Sequence, residues 1–268
     1  MPPFAGAVHG PVLTLVFGSA ARQHAALARA ECFYESEKHA NTYLNLEEAR
    51  DARICKGYEA FNLPTSAIDA WLAAMHAAEG AQDVEEGPWY QGLCTPEEQE
   101  VLAYLDTLAP RPTYLVAALV QSAEVALAHE RLHALYHLSA PYRTLLDTLW
   151  NDLSRPVRAA IEYDLKMRGY KESVWPDELG AYLGVRVTPA TKRGDPSLEF
   201  GNKCADECRD VRRVLLAKTP AFWREDAGVD EAALELSPAF LDAARAALVV
   251  KAPAAPKPAK GQRKPRKK

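Results

Sequence analysis

Val125-Ala-Leu-Ala-His129-Glu130-Arg131-Leu132-His133-Ala134-Leu135 is the stretch on which the reading of this chain turns. Alanine and leucine fill most of it and neither glycine nor proline interrupts it, so its own propensity favours helix. At about 3.6 residues per turn, His129 and His133 lie one turn apart on the same face, and both imidazoles reach toward one point. Ser122 and Ala126 continue that face with small side chains and leave room in front of the rings. Glu130 stands about 100° around the helix from His129, beside that point rather than in it. Arg131 falls roughly opposite His133, on the side of Glu124.

Outward from this segment, the apolar character runs back past Pro112. It predicts one central, largely buried helix from about Thr113 to Leu138. Thr95-Pro-Glu-Glu98 is a capping box with proline at the first helical position, so a helix starts there. Further upstream, Val12-Leu-Thr-Leu-Val-Phe17 mixes β-branched and large apolar residues and reads as a buried strand. Ser19 then caps a helix from Ala20 to about Tyr34. Arg53-Ile-Cys-Lys-Gly-Tyr58 reads as a strand, Phe61-Asn-Leu-Pro64 as the loop after it, and Thr65 or Ser66 as the start of a helix carrying Ile68, Trp71, Leu72 and Met75.

Downstream, Pro141 opens a helix holding Leu145, Leu146 and Leu149, Ser154 caps another that ends near Gly169, and Pro176 begins a short one through Leu183. Residues 80–94 and 185–202 read as connections, the second with a short strand from Val185 to Val187. Two last helices are expected at about 203–217 and 238–249, with Ser237 capping the second. The expected fold is α+β and mostly α-helical, with a small N-terminal sheet, over residues 8–250.

Composition bounds what such a domain can do. With 268 residues and 48% hydrophobic content, the chain can bury a sizeable core. The net charge of −4 hides an asymmetry, because residues 251–268 carry eight of the 32 Lys and Arg and no acid. The remaining 24 basic residues face 36 acidic ones, which leaves −12 on the body. That field repels phosphates, so nucleic acid is a partner only through the tail. The tail, rich in Ala, Pro and Lys, is expected to be disordered. It reads as a solvated extension, an import signal or a nucleic-acid arm. No run approaches the roughly 18 apolar residues of a membrane span. Five scattered cysteines are no disulfide framework, and Cys204 and Cys208 read as buried or free thiols rather than a metal pair. A cytoplasmic or nuclear location is the expectation.

Two histidines one turn apart supply half of a tetrahedral zinc site, and a carboxylate beside them can take a proton from water bound there. The His129-Glu130-x-x-His133 pattern on a buried helix resembles the zincin metallopeptidases, whose active-site helix bears this motif. The resemblance covers the motif and its helix. It implies zinc as cofactor, a peptide or protein as substrate, and Glu130 as general base. Arg131 departs from the pattern, since zincins usually have an apolar residue there. In the gluzincin branch the third ligand is a glutamate on a later helix. That points to Glu178 in Val174-Trp-Pro-Asp-Glu-Leu-Gly-Ala-Tyr-Leu183, where Gly180 and Ala181 are small enough for close helix approach.

Alternatives stand beside this reading. Asp177 and Glu178 also serve simply to complement a helix dipole, and Asp177, Glu162 and Asp164 are the next ligand candidates. Tyr182, one turn beyond Glu178, is either a group that stabilises a developing oxyanion or a packed core tyrosine. His137 lies about 12 Å along the helix from His129, too far to share an ion with it. Metzincins reach their third histidine through a glycine turn, and no glycine follows His133. Glu31, Tyr34, Glu35, Tyr58 and Glu59 either line a cleft or sit on element surfaces. A non-catalytic zincin-like scaffold with a basic tail, and a helical protein without metal, are the rival functions.

Overall fold

In the computed structural model, residues 2–80, 87–186 and 194–248 are described. Val187, the end of one expected strand, and the basic tail lie outside these residues; Val185 and Arg186 have no strand partner. Four strands, β1 (Phe4–His9), β2 (Val12–Phe17), β3 (Ala60–Pro64) and β4 (Tyr114–Leu119), form one sheet in the order β1-β2-β4-β3. β1 and β2 pair antiparallel around Gly10, whose φ of 55° suits a residue without a side chain. β2 and β4 pair parallel with Val12 opposite Tyr114. β3 runs antiparallel to β4 and forms the sheet edge.

The helices are α1 (Ala20–Glu35), α2 (Leu46–Ala52), α3 (Thr65–Glu79), α4 (Pro96–Thr107), α5 (Ala123–Leu138), α6 (Ala140–Asp152), α7 (Arg155–Met167), α8 (Trp175–Gly184), α9 (Ala205–Glu225) and α10 (Pro238–Leu248). Successive side chains of a strand point to opposite faces. β2 and β4 therefore send Leu13, Leu15, Phe17, Leu115 and Ala117 into a core shared with α1, α3 and α4. Val12, Val16, Tyr114, Val116 and Ala118 enter a second core built with α5 to α10. The fold is α+β and mostly helical, with the sheet as its middle layer.

Local chemistry accounts for several helix starts. Thr95 and Glu98 close the expected capping box on α4, and Asn45 and Glu48 close another on α2. Ser19 caps α1, Ser139 caps α6, and the Ser237 hydroxyl accepts from Phe240 at the head of α10. Ser154 precedes α7 without capping it; its hydroxyl donates to Glu207 instead.

The secondary structure departs from expectation in several places. Residues 114–119 are a strand, and the helix expected from Thr113 begins only at Ala123. β4 is buried on both faces, so it has no polar alternation and its alanines merge into the helical pattern that follows. Residues 53–58 are a turn, with Arg53, Cys55 and Gly57 all at positive φ (51°, 48° and 87°). The strand lies instead at Ala60–Pro64, expected as a loop; its edge position tolerates Pro64. The sheet also begins at Phe4, ahead of the expected boundary at residue 8.

All five cysteines are free, and four of them are buried, Cys204 and Cys208 included. Among the described residues no helix is long and apolar enough to cross a membrane.

Candidate metal centre

α5 follows β4 directly and packs against β3 and β4 on one side and α8 on the other. The approach of α8 depends on two glycines. A Cβ on Gly180 would stand 2.6 and 2.7 Å from the methyl carbons of Leu146 and 3.2 Å from the Tyr142 hydroxyl. One on Gly184 would stand 3.0 Å from a methyl of Leu132. Small residues at these positions let α8 pack closely on α6 at Gly180 and on α5 at Gly184.

At the crossing, His129 Nε2 and His133 Nε2 lie 3.1 Å apart. Glu178 Oε2 is 3.7 Å from His129 Nε2, and Glu178 Oε1 is 3.7 Å from His133 Nε2. Donors about 2.0–2.2 Å from a tetrahedral zinc stand about 3.3–3.6 Å from one another. The three side chains thus match the spacing of zinc ligands to within a few tenths of an ångström. Among the described residues, this is the one group of three or more His, Cys, Asp or Glu donors close enough to hold a metal ion. Glu178 is buried, and its Oε2 has no hydrogen-bond partner. A buried carboxylate oxygen without a donor is costly, and a cation between it and the imidazoles removes that cost.

Asp177, the residue before Glu178, accepts from His133 Nδ1 at 2.9 Å. With its proton on Nδ1, the ring turns the lone pair of Nε2 toward the shared point, the arrangement that second-sphere carboxylates impose on metal-bound histidines. Burial opposes a charge on His133, yet Asp177 and Glu178 raise its pKa well above the ordinary histidine value. Burial pushes Glu178 up to about 8, with His133 pulling down and Asp177 and Glu130 pushing further up. This surplus of acid is what a divalent cation would neutralise.

Glu130 stays outside the ligand group. Asn62 Nδ2 on β3 donates to Glu130 Oε2 at 2.7 Å, and the Tyr114 hydroxyl on β4 donates to Asn62 Oδ1 at 2.6 Å. Burial pushes the Glu130 carboxyl up to about 7, against the pull of His133 and Asn62. The sheet therefore holds this carboxyl in place and the environment poises it near neutrality.

The ring of Tyr182 packs against His129 at 4.7 Å between centroids. Its hydroxyl lies 3.0 Å from that of Tyr170, and the Arg168 guanidinium sits 4.8 Å from its ring. Tyr182 supports His129 through its ring and joins a tyrosine pair through its oxygen.

All these groups border a cavity of about 1330 Å³, beyond the roughly 300–1,000 Å³ of small-molecule sites. Ser122, Ala126, Glu31, Tyr34, Glu35, Tyr58 and Glu59 line it as well. His137 lines it, stacks at 5.1 Å on Tyr114, and is not in the ligand group. Arg131 and Glu124 face a separate pocket of about 140 Å³ behind α5. Asp164 pairs with Arg168, and neither it nor Glu162 joins the donor group.

Three contributors had no signal in the sequence. Asn62 sits in a segment that reads as loop, Tyr114 in one that reads as helix, and Tyr170 in a turn after α7. Asp177 was visible as a carboxylate beside Glu178, but its role as partner of His133 depends on how α8 crosses α5. No family model, no curated protein and no solved structure matches the chain. The chemistry of the site rests on its own geometry.

Proposed function

We propose that this chain is a zinc-dependent hydrolase acting on peptide bonds. The observation that carries the reading is the convergence of His129, His133 and Glu178 at zinc-ligand spacing, with Glu130 held beside them by Asn62. Zinc in that position supplies an acidified water and polarises a carbonyl. Glu130 is the base: its carboxyl is set aside from the ligands, restrained at one oxygen by Asn62, and near neutral in pKa. The same carboxyl then delivers the proton to the departing amine. Asp177 fixes the tautomer of His133, and the Tyr182 ring packs edge-to-face against His129. Tyr170 and Tyr182 present a hydroxyl pair suited to an oxyanion near the cavity wall. The size of the cavity favours a peptide segment over a small metabolite.

The competing reading is a metal-free ionic cluster, in which the 3.1 Å contact between imidazoles is a hydrogen bond and His133 is charged against Asp177. One experiment separates the two. Protein purified in zinc is expected to hold about one zinc per chain, and the His129→Ala variant close to none. Mass spectrometry of a peptide library is expected to find cleavage by the loaded protein alone. A zinc-supplied wild type without zinc sinks the proposal.

A further inference from the structure

Glu31 and Glu35 stand one turn apart on α1 and line the same cavity as the donor group. Glu31 is 1% exposed, and its Oε2 has no hydrogen-bond partner. Among the described residues, no Lys or Arg forms an ion pair with either carboxyl as Arg29 does with Glu98. Lys171 donates from its ammonium to the backbone carbonyl of Glu35 at 2.8 Å. Burial, then Glu35 and Glu130, drives the Glu31 pKa well up, and burial raises that of Glu35. The two carboxyls act on each other: Glu35 pushes Glu31 up, while His133, Glu31 and Lys171 pull Glu35 down against its burial.

A second metal ion is not what these groups call for. A metal needs three or more donors in reach of one another, and among the described residues the one such group is His129, His133 and Glu178. The surroundings fit an organic cation instead. Tyr34 and Tyr58 are exposed tyrosines on the cavity wall, and the buried Tyr114 lines it as well. Burial is the largest cause that raises all three phenols, with Glu31 among the lesser ones. Carboxylates flanked by aromatic faces are the chemistry that receives an ammonium or a guanidinium.

We propose that Glu31 and Glu35 form a subsite for a cationic group of the peptide substrate, on the α1 wall of the cavity beside the metal centre. This rests on the hydrolase reading above. The −12 charge of the body draws such substrates toward the protein. The cation is either a free N-terminal ammonium or a Lys or Arg side chain near the cleaved bond, and both present the same charge to Glu31.

The test uses the zinc-loaded full chain with peptides that differ in one cation at a time. N-acetylation removes the terminal ammonium, and norleucine or citrulline replaces Lys or Arg. Cationic peptides are expected to be cleaved at least about tenfold faster than their neutral twins. That ratio is expected to fall near unity in Glu31→Gln and Glu35→Gln, with zinc content and circular dichroism checking the fold. Loss of the preference on acetylation assigns the terminal ammonium; loss on norleucine or citrulline assigns the side chain. The same peptides are titrated onto zinc-loaded Glu130→Gln, which reads binding without turnover. Cleavage with no charge preference overturns the subsite and leaves the hydrolase standing. No cleavage, but tight binding of cationic peptides that Glu31→Gln abolishes, overturns the hydrolase and keeps the subsite. Neither cleavage nor selective binding removes both.

Discussion

On one side of the sheet, α1 and α4 bury an ion pair. Arg29 donates from Nε and Nη2 to the two oxygens of Glu98 at 2.8 and 2.6 Å, with both side chains 5% exposed or less. Its remaining donors reach the carbonyls of Leu93 at 2.8 Å and Leu44 at 3.2 Å, and the guanidinium lies 5.0 Å from the Trp71 ring. Glu98 also accepts from the Thr95 backbone. Around the crossing of α5 and α8, by contrast, Glu31, Glu35, Glu130, Asp177 and Glu178 gather about two histidines. There, one oxygen each of Glu31, Asp177 and Glu178 has no hydrogen-bond partner. Both clusters are buried and charged. The first is saturated, and it holds the α4 capping box to α1. The second keeps bonding capacity unused, and buried groups in that condition mark places where a ligand completes the structure.

The sharpest way to break this contrast is to act on the base alone. Glu130→Gln keeps one acceptor oxygen and the shape of the side chain, so zinc content should match wild type. Turnover of any cleaved peptide should fall by about 10² to 10⁴, the usual worth of general-base catalysis. Equal rates for the two loaded proteins would exclude Glu130 as base.

The saturated cluster should behave in the opposite manner. Arg29→Met leaves Glu98 buried and unpaired, and urea unfolding should show a loss of about 3–5 kcal/mol. Zinc content at temperatures where the variant stays folded should be unchanged. A variant as stable as wild type would mean that the pair is dispensable.

Asp177→Asn tests the support of His133. It retains an acceptor but removes the charge, so competition with a chelator should give zinc binding weaker by about 10- to 100-fold. Unaltered affinity would show that His133 is oriented by packing alone.

The smallest effect is steric. Gly180→Ala forces a methyl against Leu146, and overpacking of this kind costs about 1–3 kcal/mol. Gly180 sets how closely α8 approaches α6, so a shift of α8 should lower the melting temperature and, because Glu178 rides on the same helix, weaken zinc affinity with it. A stability loss with full zinc affinity would separate the packing of α8 from the placement of Glu178.

What the sequence disclosed follows from the range of the interactions involved. His129, Glu130 and His133 share two helical turns, so their common face is a local property and could be read directly. The capping box of α4 is local too. Glu178 was reached through the resemblance to one branch of metallopeptidases, and α8 does bring it to the two imidazoles. Asn62 and Tyr114 were out of reach because their roles come from the pairing of β3 with β4, which places residues 52 apart in contact. β4 itself was concealed by its burial on both faces, which erases the period of two that distinguishes a strand. The turn at residues 53–58 attracted a strand assignment through Ile54 and Tyr58, while its left-handed residues Arg53 and Cys55 belong to types that seldom adopt that conformation.

The hydrogen bond from Asn62 to Glu130 spans 68 positions of chain, whereas the donor group belongs wholly to α5 and α8. On the proposed reading, capture of a metal and transfer of a proton would draw on different parts of the molecule. One is encoded in a single continuous stretch from β4 to α8; the other depends on an amide carried by an edge strand from the first half. On this layout, a lineage that lost Asn62 would keep a metal carrier while its turnover faded, and restoring one side chain would be enough to turn the carrier back into a catalyst.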